Sequence, residues 1–373
     1  MTQEEFTTAI HDTVYLAGCA VKEEIPDQRR VQSMNLDNLY LISNSHLLAA
    51  AVGMALESAG VRTSDFTQAI AKSKRKTALL NADRSAVLDK LEHAGIWYMP
   101  LKGSVLQADY PKMGMRQMAD NDILINPDRA SEVKTIMTDL GFSVKSVGTG
   151  NHDIYYKQPV SNFEIHRQLF GLTQGDKIYP YFLQVMNRIL PDEGTQYGRH
   201  FSLEDFYLYL IAHEHKHFSA SGTGLRSLLD VYVYLKKHGN ALNWVLIEQE
   251  TEKMGLSPFE QQNRSLTLHL FDGLPLTKLE EEMFNYMASS GTYGNVQNRV
   301  NKRIREMGGG KLGKTKYFFW RLVLPMDVIQ AAYPFFYQHK ILLPFFAVFR
   351  LLRALIFSRD RIRAEIRAIK HFR

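Results

Sequence analysis

A single cysteine, Cys19, stands among 373 residues. That excludes an internal disulfide framework and any cysteine-rich zinc module, and it suits a reducing compartment. The opening Met-Thr-Gln-Glu-Glu-Phe has neither a basic stretch nor an apolar core behind it, so no secretory signal is visible and the reading is cytoplasmic. Long apolar runs are missing too. The apolar stretch around 341–357 is broken by Pro344, Arg350 and Arg353 and falls short of the roughly 20 residues that span a bilayer. Acidic residues are scarce in one place: residues 301–373 carry 16 Lys/Arg against 4 Asp/Glu, a balance of +12, while the first 300 residues sum to −6. This basic, aromatic-rich end suits an anionic membrane surface at which the protein is peripheral, an acidic partner, a nucleic acid, or packing on its own core. What is present is globular: 45% apolar content over this length supports a substantial core and two or three domains.

The chemistry gathers between Ile96 and Arg167. An apolar run, Ile96-Trp97-Tyr98-Met99-Pro100-Leu101, ends in Lys102-Gly103-Ser104, which reads as a buried strand delivering a tight turn and a helix start. Backbone N–H groups at such a start face an anion. Asp120-Asn121-Asp122 then runs into Ile123-Leu124-Ile125. On a strand Asp120 and Asp122 share one face and Asn121 takes the other; two adjacent carboxylates are best tolerated where a divalent cation neutralises them. A third acid, Glu164, lies in Asn162-Phe163-Glu164-Ile165-His166-Arg167, another alternating run. Its plainer reading is a strand-end salt bridge to Arg167 or Lys157, and Arg116 divides evenly between phosphate clamp and salt-bridge partner.

Lys102-Gly103, Tyr110-Pro111, Arg116, the Asp120/Asp122 pair, Gly141-Phe142 and Glu164-x-His166 resemble the nucleotidyltransferase superfamily of the DNA polymerase beta type. More closely, they resemble its bacterial, largely uncharacterised nucleotidyltransferase-like members. The resemblance is detailed over about 90 to 170 and looser to about 235. It implies that Lys102, Gly103, Ser104 and Arg116 bind the nucleotide, and that Asp120, Asp122 and Glu164 are catalytic and hold Mg²⁺, with Mn²⁺ as a substitute. It further implies an NTP substrate, ATP among them, and an acceptor hydroxyl on a protein, RNA, sugar or small alcohol. His166, His213, His217, Arg226 and Asp230 would support substrate binding. Asn121 departs from the usual apolar residue and should face away from the metals, perturbing the sheet's packing; the gap from Ser104 to Asp120 is longer than in minimal members.

The fold class expected is α+β, a small mixed sheet with helices on one face, embedded in mostly helical flanks. The segments are a helical N-terminal region (1–90), the α/β module (91–172), a helical domain (173–307) and a basic helical end (308–373), with Gly308-Gly309-Gly310 as a flexible joint. Leu39 through Met54 repeat at helical spacing with Gly60 as a stop, and Ala69 to Leu91 forms a longer helix. Strands are expected at 143–147, 152–157 and 161–168. A rival function sits at His213-Glu214-x-x-His217, where histidines four apart on a helix share a zinc ion and the glutamate acts as general base of a hydrolase. A non-catalytic nucleotide-binding or scaffold protein is the third reading.

Overall fold

Local signals place the N-terminal helices. Helix α1 (Gln3–Lys22) begins with a capping box in which Thr2 Oγ1 accepts from Glu5 N–H and Glu5 accepts from Thr2 N–H. After the short α2 (Gln28–Gln32), the apolar repeat from Leu39 to Met54 is split between α3 (Leu36–Ser45) and α4 (Ala49–Ser58). The break falls at Leu47, which takes φ 54, just after the capping residue His46. His46 is 1% exposed, its Nδ1 accepts from Leu225 N–H at 3.1 Å, and its Nε2 donates to Ala288 O at 3.1 Å. Helix α5 (Ser64–His93), capped by Thr63, closes at Gly95 and delivers the chain into the sheet.

The sheet is built from β1 (Tyr98–Leu101), β2 (Asn121–Ile125), β3 (Ser143–Ser146), β4 (His152–Lys157) and β5 (Ser161–His166), in the order β1-β2-β5-β4-β3. The β2/β5 pair is parallel and the others are antiparallel. Between β1 and β2 lies α6 (Gly103–Leu106), and between β2 and β3 lies α7 (Ala130–Asp139), which Gly141 terminates. The structure, a computed structural model, describes residues 1–148, 150–171, 177–292, 294–322, 326, 329, 333–343, 345–346, 349–350 and 359–372. Part of the apolar stretch 341–357, Phe357 included, therefore lies outside the described residues.

Helices cover both faces of this sheet, which corrects the expectation of one. Tyr98, Ile123, Ile125, Phe163 and Ile165 pack with Val87 and Leu91 of α5 and Val133 and Met137 of α7. On the opposite face Met99, Leu101 and Leu124 pack with α8 (Ile178–Val185), α9 (Leu203–Ala220), α10 (Leu225–His238) and α11 (Trp244–Met254). The physical reason is legible in β2: Ile123, Leu124 and Ile125 are all fully buried, so both side-chain parities are apolar and both faces need cover. Each such side chain contributes about 1.5–3 kcal/mol on burial, which fixes the strand on which Asp122 rides. Helices α12 (Ser257–Asp272) and α13 (Lys278–Ser290) complete the α+β unit.

The chain divides into two compact units, residues 1–216 with 224–292, and residues 217–223 with 293–373. In the second, α14 (Val296–Glu306), α15 (Gly310–Leu322) and α17 (Arg359–His371) surround Val300, Ile304, Tyr317, Ala368 and Phe372; the short α16 spans Pro334–Gln338. Arg321 holds the buried Glu365 at 2.8 Å. Gly308-Gly309-Gly310, expected as a flexible joint, is a hydrogen-bonded corner here. All three glycines have positive φ, and Gly309 N–H bonds back to Ile304 O, closing α14. Phe318, Phe319, Phe335, Ile341 and Phe345 are exposed. Among the described residues, no helix is long and apolar enough to cross a membrane.

Candidate active site

Strand pairing assembles the polar centre. Asp122 pairs across β1 with Leu101 and across β5 with Glu164, while His166 pairs with Leu124 on one side and His152 of β4 on the other. Paired residues on neighbouring strands point to the same face, so Asp122, Glu164, His166 and His152 all emerge together beneath α9. At the end of β1, Lys102 takes φ 48, a left-handed conformation strained for a residue with a β-carbon. From there its Nζ reaches Asp122 Oδ1 at 2.6 Å and Glu164 Oε2 at 4.0 Å. His166 Nε2 donates to the same Asp122 oxygen at 2.8 Å.

Asp120 precedes β2 and belongs to a loop pinned from three helices. Lys76 of α5 donates to Ala119 O, Arg226 of α10 donates to Gln117 O, and Ala50 N–H of α4 donates to the Gln117 side chain. Burial and the neighbouring Asp122 and Glu164 carboxylates push Asp120 up to about 6. Asp122 behaves oppositely: burial pushes it up, but the Lys102 ammonium and the His166 hydrogen bond hold it well below the usual range. The His166 imidazole also keeps Glu164 low. Burial and Lys102 lower the Lys216 ammonium, which lies within electrostatic reach of Glu164 and Asp122. Three carboxylates are thus ringed by Lys76, Lys102, Lys216 and Arg226.

The other expected residues go elsewhere. Arg116 is buried and makes a bidentate pair with Asp230 at 2.8 and 2.9 Å, and Tyr110 donates to the same carboxylate at 2.7 Å. Its salt-bridge reading holds, because its Nε and Nη2 and both Asp230 oxygens are consumed. The guanidinium lies over Gly103, where any β-carbon would collide with it. Ser104, expected at the triphosphate, turns inward and donates to Asn121 Oδ1 at 3.2 Å; the helix it lies in is a single turn. Asn121 faces away from the carboxylates as expected. It clamps the packing rather than perturbing it, donating to Leu80 O and accepting from Arg84. Lys157 pairs with Asp83 and Arg167 with Asp153, so neither provides Glu164 with the strand-end bridge.

The zinc reading loses its geometry. Glu214 is 3% exposed, points into the core and accepts from Asn263 at 3.1 Å. Among the described residues, the group of three metal-ligating side chains that converges is His152, Glu164 and His166, with ligand atoms within 4.8 Å of one another. Neither His213 nor His217 belongs to it, and neither do Asp120 and Asp122. His152, Lys76 and Lys216 were missed from sequence. His152 carried a signal, since it opens a strand expected to pair beside Glu164-x-His166.

A lysine-bearing turn, two aspartates at the head of one strand and a glutamate on its parallel neighbour, in a five-stranded mixed sheet, define an α+β nucleotidyltransferase domain. A family model described as uncharacterised nucleotidyltransferase matches residues 32–272, and the chain belongs to that family. Comparison with curated proteins and with solved structures returned no match. The family match starts ahead of α3 and ends with α12, so the family's unit takes in helices on both sides of the sheet.

Proposed function

We propose that this protein transfers a nucleoside monophosphate from an NTP to an acceptor hydroxyl and releases pyrophosphate. The observation that carries this reading is the pairing of Asp122 with Glu164 beside the Lys102 ammonium. The carboxylate cluster suits a divalent cation, because Asp120 is pushed up to about 6 by burial and by its two acidic neighbours. Asp120, Asp122 and Glu164 would hold Mg²⁺ or Mn²⁺, which supplies charge neutralisation at the phosphates and the leaving pyrophosphate. Lys102, Lys76, Lys216 and Arg226 provide the positive field for the triphosphate. The acceptor oxygen attacks the α-phosphorus, the bond from that phosphorus to the bridging oxygen breaks, and pyrophosphate departs. Glu164, held ionised by His166, takes the hydroxyl proton.

The test is pyrophosphate release from each NTP with Mg²⁺ and cell lysate, comparing wild type with Asp122→Asn. The amide keeps an acceptor for Lys102 and His166. Release should fall by at least about 100-fold in a protein that still melts cooperatively; undiminished release defeats the assignment. Labelled NTP in the same incubation identifies the acceptor class, and nucleotide binding without turnover would mark a non-catalytic protein.

A further inference from the structure

The geometry points to a second cation position beside the carboxylates, formed by His152, Glu164 and His166, that takes a borderline transition ion such as Zn²⁺ in preference to Mg²⁺. It shares Glu164 with the proposed transfer site, and an ion there takes His166 Nε2 in place of its hydrogen bond to Asp122, the ring proton moving to Nδ1. His152 Nε2 lies 3.7 Å and His166 Nε2 3.6 Å from one oxygen of Glu164. Both separations exceed a hydrogen bond. The two rings lie side by side with centroids 4.9 Å apart, so both nitrogens approach the same carboxylate oxygen.

The two histidine–glutamate spacings bear on the choice of ion. Bonds of roughly 2.1 Å place neighbouring donors about 3.4 Å apart around a tetrahedral zinc ion, whereas cis donors around octahedral Mg²⁺ sit about 2.9 Å apart. The observed 3.6 and 3.7 Å lie closer to the tetrahedral value. Donor chemistry agrees: two imidazoles and one carboxylate favour Zn²⁺ over Mn²⁺ and leave Mg²⁺, which prefers all-oxygen surroundings, far behind. The site is also prepared. His166 is 5% exposed and its Nδ1 has no hydrogen-bond partner, so that nitrogen can carry the ring proton when Nε2 turns to an ion. His152 on β4 keeps about a third of its side chain exposed, which leaves this ligand open to solvent for ion entry. Lys102, 4.0 Å from Glu164, is the cation an arriving ion must share that carboxylate with.

The experiment titrates metal-free full-length protein with Co²⁺, follows visible absorption, and then competes with Zn²⁺ and Mg²⁺, all without nucleotide. Zn²⁺ should displace Co²⁺ stoichiometrically, and a hundredfold excess of Mg²⁺ should not. His152→Ala and His166→Gln should each weaken Zn²⁺ binding by more than the roughly 10–100-fold that loss of an outer-shell partner costs. The glutamine keeps a donor to Asp122. The double variant His213→Ala/His217→Ala should bind as wild type. Zn²⁺ should raise the melting temperature of wild type but not of His152→Ala. Unchanged affinity in the folded His152→Ala protein, displacement of Co²⁺ by equal Mg²⁺, or loss of binding in the double variant would each overturn the site. Because no nucleotide is present, failure here leaves the transfer reading standing, and absence of pyrophosphate release leaves this site standing.

Discussion

One strand and one helix each set glutamate close to histidine, and the two motifs meet opposite fates. Glu164-x-His166 lies on a strand whose neighbours bring Asp122, Lys102 and His152 to the same face. His213-Glu214-x-x-His217 lies on α9, where the glutamate faces Asn263 of α12 inside the core. The helical motif is the better-known pattern, but the strand motif has the partners. A short spacing lets residues meet; what lies across from them decides whether they do chemistry or packing. Arg116 and Asp230 repeat the lesson: both look like ligand-binding residues in the sequence, and each is consumed by the other.

The contrast between polar groups that pack and polar groups that react can be broken experimentally. The largest stability effect should come from Arg116→Met. It leaves the Asp230 carboxylate buried with Tyr110 as its remaining partner from this network, at a cost of about 3–5 kcal/mol. Denaturant titration checks this, and a small loss would return Arg116 to the list of ligand contacts. Glu214→Gln should act through pH instead. Burial raises the Glu214 carboxyl from 4.5 to about 7, so its contribution to stability is full below pH 4.5 and is lost as pH rises through 7. The glutamine variant should lack that decline in melting temperature. His46 should show the opposite sign. Burial lowers it from 6.5 to about 4, so its contribution is full above pH 6.5 and is lost as pH falls towards 4. His46→Gln should flatten that acid limb. Ser104→Ala should have the smallest effect, about 1 kcal/mol for a single 3.2 Å hydrogen bond, with activity retained; a severe loss of activity would restore Ser104 to the phosphates.

Much of the sheet was legible because alternation is a local property. The strands at 143–146, 152–157 and 161–166 follow the sequence pattern closely, and Asp122 and Glu164 stand where their apolar neighbours placed them. The cover on the second face is readable in principle from the unbroken Ile123-Leu124-Ile125 run, although alternation in the other strands points to a one-sided sheet. The partners were legible only in part: Arg226 and Asp230 stood out in the sequence, but what each one meets did not. Lys76, Lys216 and Arg226 come from separate helices, and the Arg116–Asp230 pair joins residues 114 positions apart. No local periodicity encodes such meetings. The glycine corner at 308–310 misled for a related reason: glycine permits both a loose linker and a left-handed cap, and only the carbonyl of Ile304 decides between them.

The most direct measurement compares pyrophosphate release by Glu164→Gln and Glu214→Gln in one assay, with wild type alongside. Release should fall by about 100-fold or more in Glu164→Gln and stay within about threefold of wild type in Glu214→Gln. The reverse outcome would move the chemistry from the strand to the helix and contradict the site described here.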